Sequence, residues 1–181
     1  MPVTTSPDLL KAIQSRTARV AVGASAARGR HNKGVVGAAR SHLCAFDLQV
    51  WGATARRDFR TTLDAETRRL MQKLPPSARR WGLARKLLNI FVRDCYYSRA
   101  LHDAYSLHRT GDLLEVPLDS ITARQLKRVA GRGRLPRWTG VRHLTPENSE
   151  LFQKTASQEA QRQGLARVDL DAVWWSHNRD L

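Results

Sequence analysis

The chain has 181 residues, 41% of them hydrophobic, enough for one domain or two small lobes sharing a core. It contains nothing like the run of about 20 apolar residues that a transmembrane helix needs, nor an apolar stretch behind basic residues at its start, so neither a membrane span nor a secretion signal is expected. Against 16 Asp and Glu stand 31 Lys and Arg, a formal net charge of +15, which favours a polyanionic partner and salt-sensitive binding.

Nucleic acid is preferred to a membrane surface as that partner, because no segment joins a basic face to a continuous apolar one. Ribosomal or other RNA packing is the alternative that charge alone leaves open. The only cysteines are Cys44 and Cys95, too few for an iron–sulfur cluster or a thiolate zinc site. The six His show no metal-ligand spacing, so no metal and no cofactor are expected, and the thiols read as those of a cytoplasmic, nucleoid-associated protein.

Residues 1–33 are small, polar and basic. Ser6 and Pro7 form an N-cap and first helical position for a short helix through Ile13, and the remainder reads as a basic arm, flexible or laid on the surface. From Gly34 to about Trp51 the spacing of Val35, Val36, Ala39, Leu43, Ala45, Phe46 and Leu48 predicts one core helix that ends irregularly. A second runs from an Asp64 cap to Lys73, stopped by Pro75-Pro76, with Arg68 and Arg69 on a basic face.

Residues 83 to about 105 read as one long helix with Leu87, Leu88, Phe91 and Cys95 inside. Lys86, Asn89, Ile90, Arg93 and Tyr97 share another face. After a turn at 109–112, Pro117 forces Val116 into extended geometry, and Asp119 then caps a helix to about Ala130. A basic loop over 131–140 carries Arg132, Arg134 and Trp138. Thr145 and Pro146 start a helix that Gly164 ends, and residues 168–175 form a last apolar helix with Asp171, Trp174 and Trp175. No strand alternation is present, so the fold class expected is all-α.

Two segments carry more than periodicity. Gly82-Leu83-Ala84-Arg85-Lys86 is a Gly-containing turn running into a helix with a Lys in its first turn, and Asn89 follows three residues on. Val116-Pro117-Leu118-Asp119-Ser120 delivers an Asp to the start of another helix. Over about residues 60–135 this pairing resembles the helix-hairpin-helix DNA glycosylases, the superfamily of endonuclease III and the 8-oxoguanine glycosylases. The interval of 119 − 86 = 33 residues is closest to the archaeal 8-oxoguanine branch. Ala84 stands where that family's hairpin customarily has a second Gly.

The resemblance implies two small helical lobes flanking a cleft. One would hold the hairpin, about 60–135; the other would be built from 34–59 and 136–181. Lys86 would be the nucleophile and Asp119 its assistant, in a glycosylase with AP lyase activity. The chemistry suits these residue types. A neutral amine attacks C1′ of the deoxyribose and forms a Schiff base that can proceed to β-elimination of the 3′ phosphate. The carboxylate relays a proton and stabilises positive charge on the sugar.

Taken singly, such a Lys is commonly a solvated residue and such an Asp only a cap; their conjunction with the basic charge points to one chemistry. Gly82, Ala84 and Arg85 would bind a backbone phosphate at the helix start, with Arg68, Arg69, Arg124, Arg132 and Arg134 as further DNA contacts.

A base extruded from the duplex needs aromatic stacking and a polar edge, for which Trp138, Trp175, Asp171 and Tyr97 are the candidates. The branch resemblance makes 8-oxoguanine the first substrate expected. A modified cytosine, such as a hypermodified phage base met in anti-phage defence, is the alternative within the same chemistry. A non-catalytic helix-hairpin-helix DNA-binding protein is the alternative of another class. The partner expected is double-stranded DNA, no membrane is involved, and the protein is expected to be a monomer.

Overall fold

A computed structural model describes residues 6–23, 26 and 34–177 of the chain. Those residues form helices and connecting turns with no strand, so the protein is all-α. In chain order the helices are α1 Pro7–Ala21, α2 Val35–Cys44, α3 Leu48–Ala53, α4 Phe59–Lys73, α5 Trp81–Tyr97, α6 Arg99–Ala104, α7 Ser120–Ala130, α8 Pro146–Gln163 and α9 Leu170–His177. None among the described residues is long and apolar enough to cross a membrane.

Where caps were legible, boundaries fall as expected. Ser6 Oγ accepts from Leu9 N at 3.2 Å, Thr145 Oγ1 accepts from Asn148 N at 3.2 Å, and Gly164 closes α8 in the left-handed conformation that only glycine adopts cheaply. Asp119 caps α7, its Oδ1 accepting from Ile121 N at 2.9 Å and Thr122 N at 3.0 Å.

Four expectations are corrected. The arm expected over 1–33 is, over Pro7–Ala21, a core helix: Gln14, Ala18, Ala21 and Val22 are buried at helical spacing. Gln14 Nε2 donates to Leu43 O at 3.2 Å and Phe46 O at 2.7 Å, satisfying carbonyls around the end of α2. Residues 1–5, 24–25 and 27–33 of that arm lie outside the described residues. The single helix expected over 34–51 is two, because Asp47 starts α3 by accepting from Val50 N at 2.9 Å. Asp64 does not cap α4, which begins five residues earlier at Phe59. The long helix expected over 83–105 breaks at Ser98, where the backbone turns extended between α5 and α6.

The lobes also divide differently from the expected hairpin lobe. One core gathers α1, α2, α3, α4 and α5 around Leu43, Trp51, Leu87, Leu88 and Phe91, with Phe46, Trp51 and Phe59 in edge-to-face contacts at 4.8–5.6 Å. The other gathers α7, α8 and α9 around Val116, Leu126, Phe152, Leu170 and Trp174. The extended segment 113–118 joins them, and its backbone is held by side chains rather than by a sheet. Gln153 donates to Val116 O at 2.8 Å and accepts from Val116 N at 3.2 Å; Arg167 donates to Leu113 O at 2.8 Å and Leu114 O at 3.0 Å.

Gly82 sits where α5 meets the turn at Val141–His143. A Cβ there would lie 2.2 Å from Val141 O and 2.7 Å from Leu144 Cβ. Helix propensity alone favours Ala over Gly by about 1 kcal/mol, but the clash dominates, as overpacking costs about 1–3 kcal/mol. Gly82→Ala is therefore expected to lower the thermal midpoint, and an unchanged or raised midpoint in calorimetry would contradict this packing.

Candidate active site

Lys86 lies in the second turn of α5, half-buried, and Arg93 follows two turns later on the same face. Arg93 donates to Asp94 Oδ1 at 2.8 and 2.9 Å and makes a close ion pair with Asp171 of α9. Asp171 is buried and also accepts from Thr122 Oγ1 of α7 at 3.2 Å. The same Thr122, through its amide, donates to Asp119 Oδ1. Three helices and the α7 cap therefore meet at one buried carboxylate on the seam between the two cores.

Burial pushes the Asp171 carboxyl above the ordinary carboxylate range. Arg93 pulls it back, the Asp119 carboxylate pushes it further up, and the Thr122 hydrogen bond and Lys86 pull it down. Lys86 and Asp119 are thus both within electrostatic reach of Asp171, from opposite charge signs. Burial alone would lower Arg93, but Asp94 and Asp171 more than offset it, and its net shift is upward. Asp94 is raised, chiefly by burial.

The cap uses only Oδ1 of Asp119, so capping and a second role for this half-buried carboxylate are compatible. Tyr97, one turn beyond Arg93, is exposed, and its hydroxyl donates to Asp169 Oδ1 at 2.7 Å. Burial and that carboxylate raise its pKa. Trp175 stands exposed on α9, one turn from the buried Asp171, whereas Trp174 faces the core. Trp138 lies half-buried against the second core, beside Ser120.

The turn expected to bind a phosphate is packed inside. Gly82, Ala84 and Arg85 are all buried. The lack of a side chain at Gly82 serves the close approach of Val141 and Leu144. Arg85 is 2% exposed and fully engaged. Its Nε donates to Glu115 Oε2 at 2.9 Å, Nη1 to Thr67 Oγ1 at 2.6 Å and Leu63 O at 3.0 Å, and Nη2 to Asp64 Oδ1 at 2.6 Å. A guanidinium so placed fastens α4, α5 and the 113–118 segment together and cannot reach a DNA backbone.

The remaining expected DNA contacts, Arg68, Arg69, Arg124, Arg132 and Arg134, are exposed, with Arg69 paired to Glu66. Arg68 and Arg69 are on α4, in the first core; the other three belong to α7 and the loop after it.

Sequence reasoning placed Arg93 on the right helical face but gave it no role, and it missed Thr122 altogether. Spacing could have found Arg93, seven residues after Lys86; nothing local marks Thr122, whose partner is 49 residues away. Asn89, also buried, donates to Glu115 Oε2 at 3.1 Å while its own Oδ1 has no hydrogen-bond partner among the described residues. Comparison of the chain with family models, curated proteins and solved structures returns no match.

Proposed function

We propose that the protein is a DNA glycosylase that removes a damaged or modified base, with Lys86 as nucleophile and Asp119 as its assistant. The observation that carries this reading is that buried Asp171 ties the two segments together at the seam of the two helical cores: it pairs with Arg93, two turns after Lys86 on the same face of α5, and accepts from Thr122, whose amide is capped by Asp119. Such a seam is where an extruded nucleotide would be received. The net charge of +15 supplies affinity for the duplex.

In this mechanism the Lys86 amine, deprotonated, bonds to C1′ as the bond from C1′ to the base breaks and the base departs with the electron pair and a proton. The Schiff base that follows can lose the 3′ phosphate by β-elimination. Asp119 relays the amine's proton and balances charge on the sugar. Asp171, held by Arg93 and Thr122, fixes the α7 cap and the α5 face relative to each other. With the turn before Lys86 packed inside, the phosphates must be met by the exposed arginines of α7 and the following loop rather than by a hairpin. An oxidised purine, 8-oxoguanine first, is the proposed substrate, and a modified cytosine is the second.

Duplexes carrying each of these bases, assayed for strand scission, test the reading. Asn caps a helix about as well as Asp. Asp119→Asn should therefore preserve thermal stability to within about 1 kcal/mol while slowing excision by about 10²–10⁴-fold, the range for a positioned proton-transfer group. Full activity in Asp119→Asn would reduce this residue to a cap.

A further inference from the structure

Ser120, Arg124 and Lys127 occupy one stripe of α7 at i, i+4 and i+7, and the loop residues Arg137 and Trp138 face that stripe across an open cavity of about 340 Å³. This volume lies at the lower end of the range of about 300–1,000 Å³ for ligand sites. Three cations and one indole line it, with no carboxylate.

The indole is held in place. Its Nε1–H donates to Ser120 Oγ at 3.3 Å, and its ring meets Phe152 edge to face at 5.6 Å. The polar edge of Trp138 is therefore engaged by the protein, and what it can offer a ligand is ring surface. Lys127 Nζ donates to Pro136 O at 3.3 Å, which ties the loop to α7 and leaves further N–H donors on the ammonium. Arg124 and Arg137 are exposed, and neither makes an ion pair with another described residue, in contrast to Arg56, Arg60, Arg69 and Arg162.

Cations left uncompensated around an aromatic face select a ligand that is both anionic and flat. An aliphatic polyanion would leave the indole unused, and a neutral aromatic would leave the guanidinium groups unused. We infer that this cavity holds one unstacked nucleotide of a DNA strand, its base against the Trp138 ring and its phosphate among Arg124, Lys127 and Arg137. Ser120 directly follows Asp119, so this nucleotide is a near neighbour of the one undergoing excision; that assignment of the strand rests on the proposed function. Stacking on an indole requires a base withdrawn from its own stack, so the site discriminates single-stranded or opened DNA from intact duplex.

The test uses the full chain and a fluorescein-labelled, lesion-free oligothymidine, with anisotropy read against a fully paired duplex. Base–aromatic stacking is worth about 1–3 kcal/mol per base, so Trp138→Leu should weaken single-strand binding roughly tenfold while changing duplex binding less than about twofold. Trp138→Phe, which retains a ring against Phe152, should recover part of the loss and shows that the fold is intact. Arg124→Gln with Arg137→Gln should reduce the slope of log affinity against log salt by about one for each arginine.

Wild-type single-strand affinity in Trp138→Leu overturns the inference, as does an equal loss for duplex and single strand in both Trp138 variants. If no lesion duplex is ever cleaved but Trp138-dependent single-strand binding appears, the inference stands and the excision reading falls. If lesion duplexes are cleaved and Trp138 has no effect on binding, excision stands and the nucleotide site falls.

Discussion

Lys86→Gln is expected to bind duplex DNA as the native protein does and to excise nothing. Glutamine keeps most of the length of the side chain and its helix propensity, so α5 should form unchanged, but its amide is no nucleophile toward C1′. The loss should be at least about 100-fold in single-turnover excision, the lower bound for removing a positioned catalytic group, and the Schiff base should vanish altogether. Lys86 is half-buried on the face of α5 whose Arg93 pairs with Asp171, so a purely solvated role would be revealed by undiminished turnover. A parallel fall in duplex affinity would instead make Lys86 a phosphate contact.

The second large effect concerns stability. Arg85 and Glu115 are 2% and 3% exposed and bonded to each other, and Arg85 binds Asp64 and Thr67 as well. Removing one member of a buried pair leaves an uncompensated charge, at about 3–5 kcal/mol. In a protein of this length each kcal/mol moves the midpoint by about 2–4 °C, so Arg85→Met, which leaves the buried Glu115 carboxylate without the cation bonded to it, is expected to lower it by roughly 10 °C. Arg85→Met combined with Glu115→Gln should lose less than the sum of the single variants, because Arg85→Met alone strands a buried carboxylate that the double variant does not. Additive losses in thermal unfolding would show that the two residues are independent.

Those two residues also show where the sequence stopped being readable. Arginine is almost always exposed, and one beside a candidate catalytic Lys in a basic chain reads as a phosphate contact. Its burial depends on Asp64, 21 residues before it, and on Glu115, 30 residues after, pairings that no local pattern announces. Gly82 was ambiguous for a related reason: a missing side chain permits close approach, and only the fold decides whether a phosphate or the Val141 carbonyl approaches.

By contrast, α8 was legible from end to end, since Thr145-Pro146 and Gly164 are local capping signals that tertiary packing did not override. Asp119 was legible as a cap for the same reason. The helix α1 was only half legible, its Ser6-Pro7 start being clear and its burial hidden in small residues. Ala18 and Ala21 carry little hydrophobic signal, yet they let α1 lie close against its neighbours. Of the site itself, the residue types and the capped start of α7 came from the sequence. The buried Asp171 that links Arg93 of α5 to Thr122 of α7 required three dimensions.

The most direct measurement is borohydride reduction of the protein on a duplex carrying 8-oxoguanine or a modified cytosine, followed by peptide mapping of the covalent product. A reduced sugar adduct on the peptide containing Lys86, and on no other amine, is the result expected of a Lys86 nucleophile. An adduct mapped to a different lysine or to the chain's α-amino group, or base release with no adduct at all, would contradict that role.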